Sequence, residues 1–161
     1  MNLCLPLRHL SDEHARLLEV GERRKGEDTA SLAARLLALW DGEILPHCRG
    51  EEEVLLPELV RHISEADAVV VFTQGDHTVL RRLARELRLA ERHSQDEAVT
   101  RLMEKLAEHF RFEEQTLFPA LQATLGRDCL ATLEGEIVAS TRTGTKPPSR
   151  IWEESDVPER P

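Results

Sequence analysis

His47-Cys-Arg-Gly-Glu51-Glu-Glu-Val-Leu-Leu-Pro57 is echoed downstream by His109-Phe-Arg-Phe-Glu113-Glu-Gln-Thr-Leu-Phe-Pro119. Histidine, first glutamate and proline are each displaced by 62 positions. A second echo lies upstream of each copy: Asp12-Glu13-His14-Ala15 and Gly75-Asp76-His77-Thr78, displaced by 63 at the histidine. Repetition at a fixed period means one structural unit built twice. Within each phrase the histidine and glutamate stand four apart, which puts them on one face of a helix. The chain therefore reads as two helical hairpins of one design, paired about an approximate two-fold axis: an all-α, antiparallel up-down four-helix bundle.

Apolar residues at helical spacing extend this pattern in both directions. A first helix is predicted from about Ser11, as N-cap, to about Lys25, with Leu10, His14, Leu17, Leu18 and Gly21 on its inner face. The second runs from about Thr29 to Leu56, with Ala33, Leu36, Trp40, Ile44, His47, Glu51 and Leu55 along its stripe. Pro46 should kink it, because a proline ring clashes with the carbonyl four residues back, here that of Gly42. Pro57 marks a further bend or the end. The third is predicted from about Val70 to Arg92, with His77, Leu80, Ala84 and Leu87 inward. The fourth follows a Ser94–Glu97 capping box and continues to about Leu125, its stripe being Val99, Leu102, Met103, Leu106, His109, Phe110, Glu113 and Leu117. A short fifth helix, about Arg127 to Ser140, is placed across one end. Residues 1–140 thus make one domain, and residues 141–161, with Pro-Pro-Ser and an acidic finish, read as an extended or disordered tail.

Composition agrees and excludes several classes. The 161 residues are 40% hydrophobic and 32% charged, with only 8 glycines and 8 prolines, which suits one globular helical domain. The formal charge is −9 and no basic face stands out, whereas a nucleic-acid binder draws most of its affinity from cationic contacts to phosphate. The run Arg23-Arg24-Lys25, flanked by Glu22 and Glu27, reads as a solvated helix end. No apolar stretch approaches the roughly 20 residues of a membrane span, and the N-terminus is interrupted by charge too early for a signal peptide. Three scattered cysteines, Cys4, Cys48 and Cys129, give no disulfide framework and fit a reducing cytoplasm.

The stripes carry an electrostatic problem. Glu51 and Glu113 fall among core leucines, and an unpaired carboxylate in a dry core costs several kcal/mol. No Lys or Arg occupies the same rows, but His14, His47, His77 and His109 do. A lone histidine on an apolar face is usually a satisfied core residue. Four histidines and two glutamates at equivalent places in both repeats, all inward, are better explained as a metal pair. Imidazole and carboxylate suit iron; structural zinc favours tetrahedral Cys/His sets, and the cysteines are not clustered. Ferritin-like sites need a glutamate three residues before the histidine, and no histidine here has one. Glu52, Glu53 and Glu114 read as surface or supporting residues, and His9, His62 and His93 as surface ones. Cys48, beside His47, reads as a buried small side chain rather than a redox switch.

The two His-x-x-x-Glu-Glu phrases, the second ending Leu-Phe-Pro119, resemble the signature of the hemerythrin-like (HHE cation-binding) proteins over roughly residues 7 to 125. That resemblance implies a hemerythrin-like bundle around a non-haem di-iron centre, bridged by both glutamates and an oxo or hydroxo group. It implies one iron on His14 and His47 and the other on His77 and His109. The oxygen-carrying members have a fifth histidine four residues before the position matched by His77, and Thr73 stands there. Each iron would then keep an open position, unless Glu43, one turn before His47, intrudes. The ligand set also resembles the di-iron domain of iron–sulfur-cluster repair proteins, but their N-terminal cysteine-bearing domain has no counterpart.

Three functional readings follow. The favoured one is a module that binds or senses a small diatomic ligand, oxygen or nitric oxide, or handles iron under oxidative or nitrosative stress. The second is an enzyme reducing peroxide or nitric oxide at the open positions. The third is a metal-free structural bundle.

Overall fold

Helix α1 (Leu5–Gly21) begins well before Ser11. Pro6 occupies its first turn, where a missing N–H costs nothing, and the Cys4 N–H donates to Gln122 Oε1 at 2.6 Å, tying the start of the helix to a distant part of the chain. The expected cap at Ser11 is thus wrong: Ser11 lies inside the helix and its hydroxyl donates to Glu114. The helix also ends earlier than Lys25, so Arg23, Arg24 and Lys25 belong to the following loop, with Arg23 paired to Asp96. Arg35 reaches back from the next helix to secure that ending: its guanidinium donates to the carbonyls of Val20 and Glu22 and to Glu27. The computed structural model describes residues 3–143, and the tail expected from 141 lies, from 144 onward, outside the described residues.

Helix α2 (29–59) is capped by Asp28, which accepts from the Ser31 N–H at 2.8 Å. It runs past the expected end at Leu56, and Pro46 does not break it. The helix widens into a π turn at Trp40–Ile44, where the Leu45 N–H reaches the Trp40 carbonyl five residues back. The turn adds a residue just where the proline ring would meet the preceding carbonyls and where one donor is missing. The same device recurs at Glu51–Leu55 before Pro57 and at Glu113–Leu117 before Pro119. Both proline-bearing phrases of the repeat therefore fold alike.

Helix α3 (Ala68–Leu89) is capped by Asp67 rather than opening at Val70, and it stops before Arg92. Helix α4 (95–125) follows Ser94, but the capping box is not made: the Ser94 hydroxyl donates back to the Glu91 carbonyl at 3.0 Å. At Gly126 the backbone takes φ 75°, a left-handed conformation that glycine adopts without strain. Helical structure resumes beyond it to Thr143.

The four helices pack as a helical bundle with two apolar clusters. One gathers Leu17, Leu36, Ile44, Leu80, Leu102, Leu106 and Phe110; the other gathers Leu7, Leu55, Leu59, Val70, Leu117, Phe118 and Leu130. Every residue of the α2 stripe named from the sequence is buried. Among the described residues, the buried polar or charged side chains are His14, His47, Glu51, Thr73, His77, His109 and Glu113. They flank positions that belong to both clusters, so the fold encloses a polar layer between two dry ones. No described helix is long and apolar enough to cross a membrane.

Leu36→Ala should cost about 2–5 kcal/mol, since it empties a buried core position. Leu89→Ala, at a site 71% exposed, should stay within about 0.5 kcal/mol. Urea unfolding of the two variants checks the contrast: equal midpoints would contradict the assignment of the core.

Candidate metal centre

Four helices deliver the six inward side chains. His14 comes from α1, His47 and Glu51 from α2, His77 from α3, and His109 and Glu113 from α4. Each glutamate opens a π turn, one helical turn after its histidine. All six are at most 1% exposed.

The structure brings them together as two groups that share both carboxylates. Donor atoms of His14, His47, Glu51 and Glu113 lie within 4.8 Å of one another, and so do those of Glu51, His77, His109 and Glu113. The individual contacts show the sharing. Glu51 turns Oε1 to His47 Nε2 at 3.6 Å and Oε2 to His77 Nε2 at 3.2 Å. Glu113 turns Oε2 to His14 Nε2 at 3.2 Å and Oε1 to His109 Nε2 at 2.9 Å. His14 and His47 face each other through their Nε2 atoms at 3.0 Å. Both oxygens of both glutamates, and Nε2 of His77 and His109, have no hydrogen bond of acceptable geometry. Buried polar atoms are seldom left so. Imidazole nitrogens and carboxylate oxygens converging in a dry layer fit metal ions, which would satisfy all of them at once.

The outward ring nitrogens face carboxylates. The Nδ1–H of His47 donates to Glu13 at 2.9 Å, that of His77 to Glu52 at 2.8 Å, and that of His14 to Glu114 at 3.3 Å. Nδ1 of His109 faces Asp76 at 3.7 Å. Such partners fix the tautomer and aim Nε2 inward. Reading residue types alone misses Glu13 and Asp76, and gives Glu52 and Glu114 only a supporting or surface place. The repeat contains the missed signal: Glu13 pairs with Asp76 at the 63-residue displacement, and Glu52 with Glu114 at 62. The carboxylate next to each α1 or α3 histidine serves the neighbouring hairpin helix, while Glu52 and Glu114 serve the opposite repeat.

Two candidates for extra coordination are accounted for elsewhere. Glu43 is exposed and paired with Arg16 at the rim of a 640 Å³ surface cavity that also includes Glu13, Leu10 and Gly42. Thr73 is buried but donates its hydroxyl to the Val69 carbonyl at 2.8 Å, within its own helix. His9, His62 and His93 are exposed, as expected of surface residues.

The carboxylates govern protonation. Burial would push the His47 imidazole down, but the Glu51 charge and the Glu13 hydrogen bond outweigh it and raise it to about 9. For His109 burial is likewise overcome, by the Glu113 charge and by Asp76, reaching about 11. His77 is raised as well, by Cys48, Glu113, Glu51 and Glu52 against burial. Glu113 is held well below its usual range, its burial outweighed by His109 foremost. Glu52, despite partial burial, is lowered to about 2 by His77 and Arg81.

A family model described as the hemerythrin HHE cation binding domain matches residues 5–121. No curated protein and no solved structure gives a significant match.

Raised histidines stabilise the metal-free fold fully below the unfolded value near 6.5, and that contribution fades as pH climbs through about 9 to 11. Metal ions need those same nitrogens deprotonated, so loading at pH 7 should release protons and strengthen as pH rises over that window. Calorimetric titration in buffers of differing ionisation enthalpy measures the release; a buffer-independent heat would refute it. The outer carboxylates give a separate expectation. Glu52→Gln should weaken metal affinity by roughly 10- to 100-fold with the helical content unchanged, as read by competition with a chromophoric chelator.

Proposed function

The chain belongs to the hemerythrin HHE cation-binding family, and from that premise we propose that His14, His47, Glu51, His77, His109 and Glu113 hold two iron ions for binding or sensing a small diatomic ligand. Its membership and its buried His/Glu clusters make it a metal-binding helical protein. The observation that carries the finer reading is the division of each carboxylate, with one oxygen turned to each histidine pair. That arrangement supports two adjacent ions better than one, with His14 and His47 on one side and His77 and His109 on the other. Iron bound there would supply redox-active, incompletely filled coordination positions suited to oxygen or nitric oxide.

The rest is the work of the chain's own groups. Glu13, Glu52 and Glu114 accept the outer ring protons, holding three imidazoles in the tautomer that presents Nε2 inward. Phe110 lies flat on His14, with ring centres 4.0 Å apart and planes 5° off parallel, and Phe118 stacks on it at 5.4 Å. These rings keep water from the layer, which lets an uncharged diatomic compete for it. Glu43 and Thr73, each committed to another partner, leave the remaining positions to an incoming ligand. Cys4, Cys48 and Cys129 are free thiols, which suits a reducing, cytoplasmic setting.

Protein purified with iron should contain two irons per chain and change its visible spectrum on exposure to oxygen or nitric oxide. An unchanged spectrum in fully loaded protein would reject ligand binding, while sustained turnover of peroxide or nitric oxide with a reductant would move the assignment to an enzyme.

A further inference from the structure

The two halves of the centre are related by the repeat, and one inward position beside the ligands breaks that relation. Cys48 follows His47 as Phe110 follows His109, at the same displacement of 62. Both are 1% exposed. Phe110 packs on His14, the α1 histidine, and touches His47 edge-on with ring centres 5.9 Å apart. Cys48 occupies the mirror position: its Sγ and one ring nitrogen from each of His77 and His109 lie within 4.8 Å of one another. One histidine pair is therefore covered by a ring that cannot coordinate, and the other by a thiol that can.

A cysteine packed among leucines ordinarily serves as a small apolar side chain. Here a second observation points to a ligand. Nε2 of His77 and of His109 are buried, without hydrogen-bond partners, and directed into the space they share with Glu51 and Glu113. The sulfur stands beside that space rather than in the apolar cluster alone. Metal–sulfur bonds of about 2.3 Å and metal–nitrogen bonds of about 2.1 Å place their donor atoms under about 4.5 Å apart. At tetrahedral angles those bonds set the donors about 3.4 to 3.6 Å apart, so loading would draw the three atoms, now within 4.8 Å of one another, together by up to about 1.2 Å.

We propose that Cys48 is a ligand of the metal ion held by His77 and His109, so that the two ions of the centre are chemically unlike. This rests on the two-ion reading above. The thiol coordinates as thiolate, its proton released to solvent on loading, with no change of oxidation state. The ion between His14 and His47 has nitrogen and oxygen donors alone, and the other gains a soft sulfur donor. A thiolate favours iron, zinc or cobalt over magnesium, calcium or manganese.

Cobalt(II) loading tests this, because a cobalt–thiolate bond gives an intense near-ultraviolet charge-transfer band that histidine and carboxylate ligands do not. The full chain should bind two cobalt ions and show the band. Cys48→Ser and Cys48→Ala should still bind cobalt, with the weak visible bands of nitrogen and oxygen ligation, and lose the charge-transfer band. The double variant Cys4→Ser with Cys129→Ser, which leaves Cys48 untouched, should keep it; this holds the test open should either Cys48 variant fail to fold. Two bound cobalt ions without the band, or a band that survives loss of Cys48, would overturn thiolate ligation while leaving the two-ion centre standing. Failure to bind two ions would overturn both.

Discussion

Two carboxylates buried in a dry layer set the terms for everything else in this bundle. Taking an ion out of water costs several kcal/mol unless its charge is balanced and its lone pairs are used. Glu51 and Glu113 bring four oxygens to one level of the core, and none makes a well-formed hydrogen bond. The polypeptide answers with four imidazoles, one from each helix, and among the described residues no lysine or arginine is buried there. A lysine would cancel the charge permanently. Histidines can instead exchange a proton for a metal ion, which makes the layer conditional on what is bound.

That requirement reaches outward through the fold. The apolar clusters on either side shut water out and lock the helices in register, so that side chains far apart in sequence meet within a few ångströms. The π turns that begin at Glu51 and Glu113 are the local expression of the same need. A proline six residues after each glutamate removes one backbone donor, and the widened turn absorbs the loss at the level of the glutamate itself. Further out, carboxylates at Glu13, Glu52 and Glu114 hold the outer ring nitrogens, so each of those imidazoles is anchored at its outer end with Nε2 aimed inward.

Much of this is legible in the amino-acid sequence, because duplication lets one half of the chain check the other. A histidine four before a glutamate means little once; repeated at 62 residues on a buried stripe, it names a site. What residue types do not settle is local. Ser11 and Ser94 look like caps, yet Pro6 starts α1 earlier and the Ser94 hydroxyl turns back to Glu91. Cap chemistry depends on one dihedral pair and one competing acceptor, and neither is visible in residue types. Pro46 suggests a kink only if its clash with the preceding turn is weighed without the alternative of a wider turn, which is the one the helix takes. Glu13 and Asp76 do not stand out, because one acidic residue beside a histidine is common on helix surfaces, although the repeat offers them as a pair.

Where the two copies differ, the differences gather at one end of the layer. Leu10 and Thr73 are equivalents, and neither offers a ligand, since one is apolar and the other spends its hydroxyl on Val69. Glu13 and Asp76 are equivalents one methylene apart, and the shorter side chain leaves His109 Nδ1 at 3.7 Å where His47 Nδ1 has its partner at 2.9 Å. Phe110 and Cys48 are equivalents, and only the sulfur can donate electrons. The ring-covered pair is His14 with His47; beside the thiol stand His77, held by Glu52 at 2.8 Å, and His109, the most loosely tethered of the four. A duplicated scaffold supplies two equal half-sites by default, so unequal ones record substitutions on the scaffold. The two that alter donor strength, at 48 and at 76, both act on the same pair of histidines, which is where a difference in reactivity between the halves would arise.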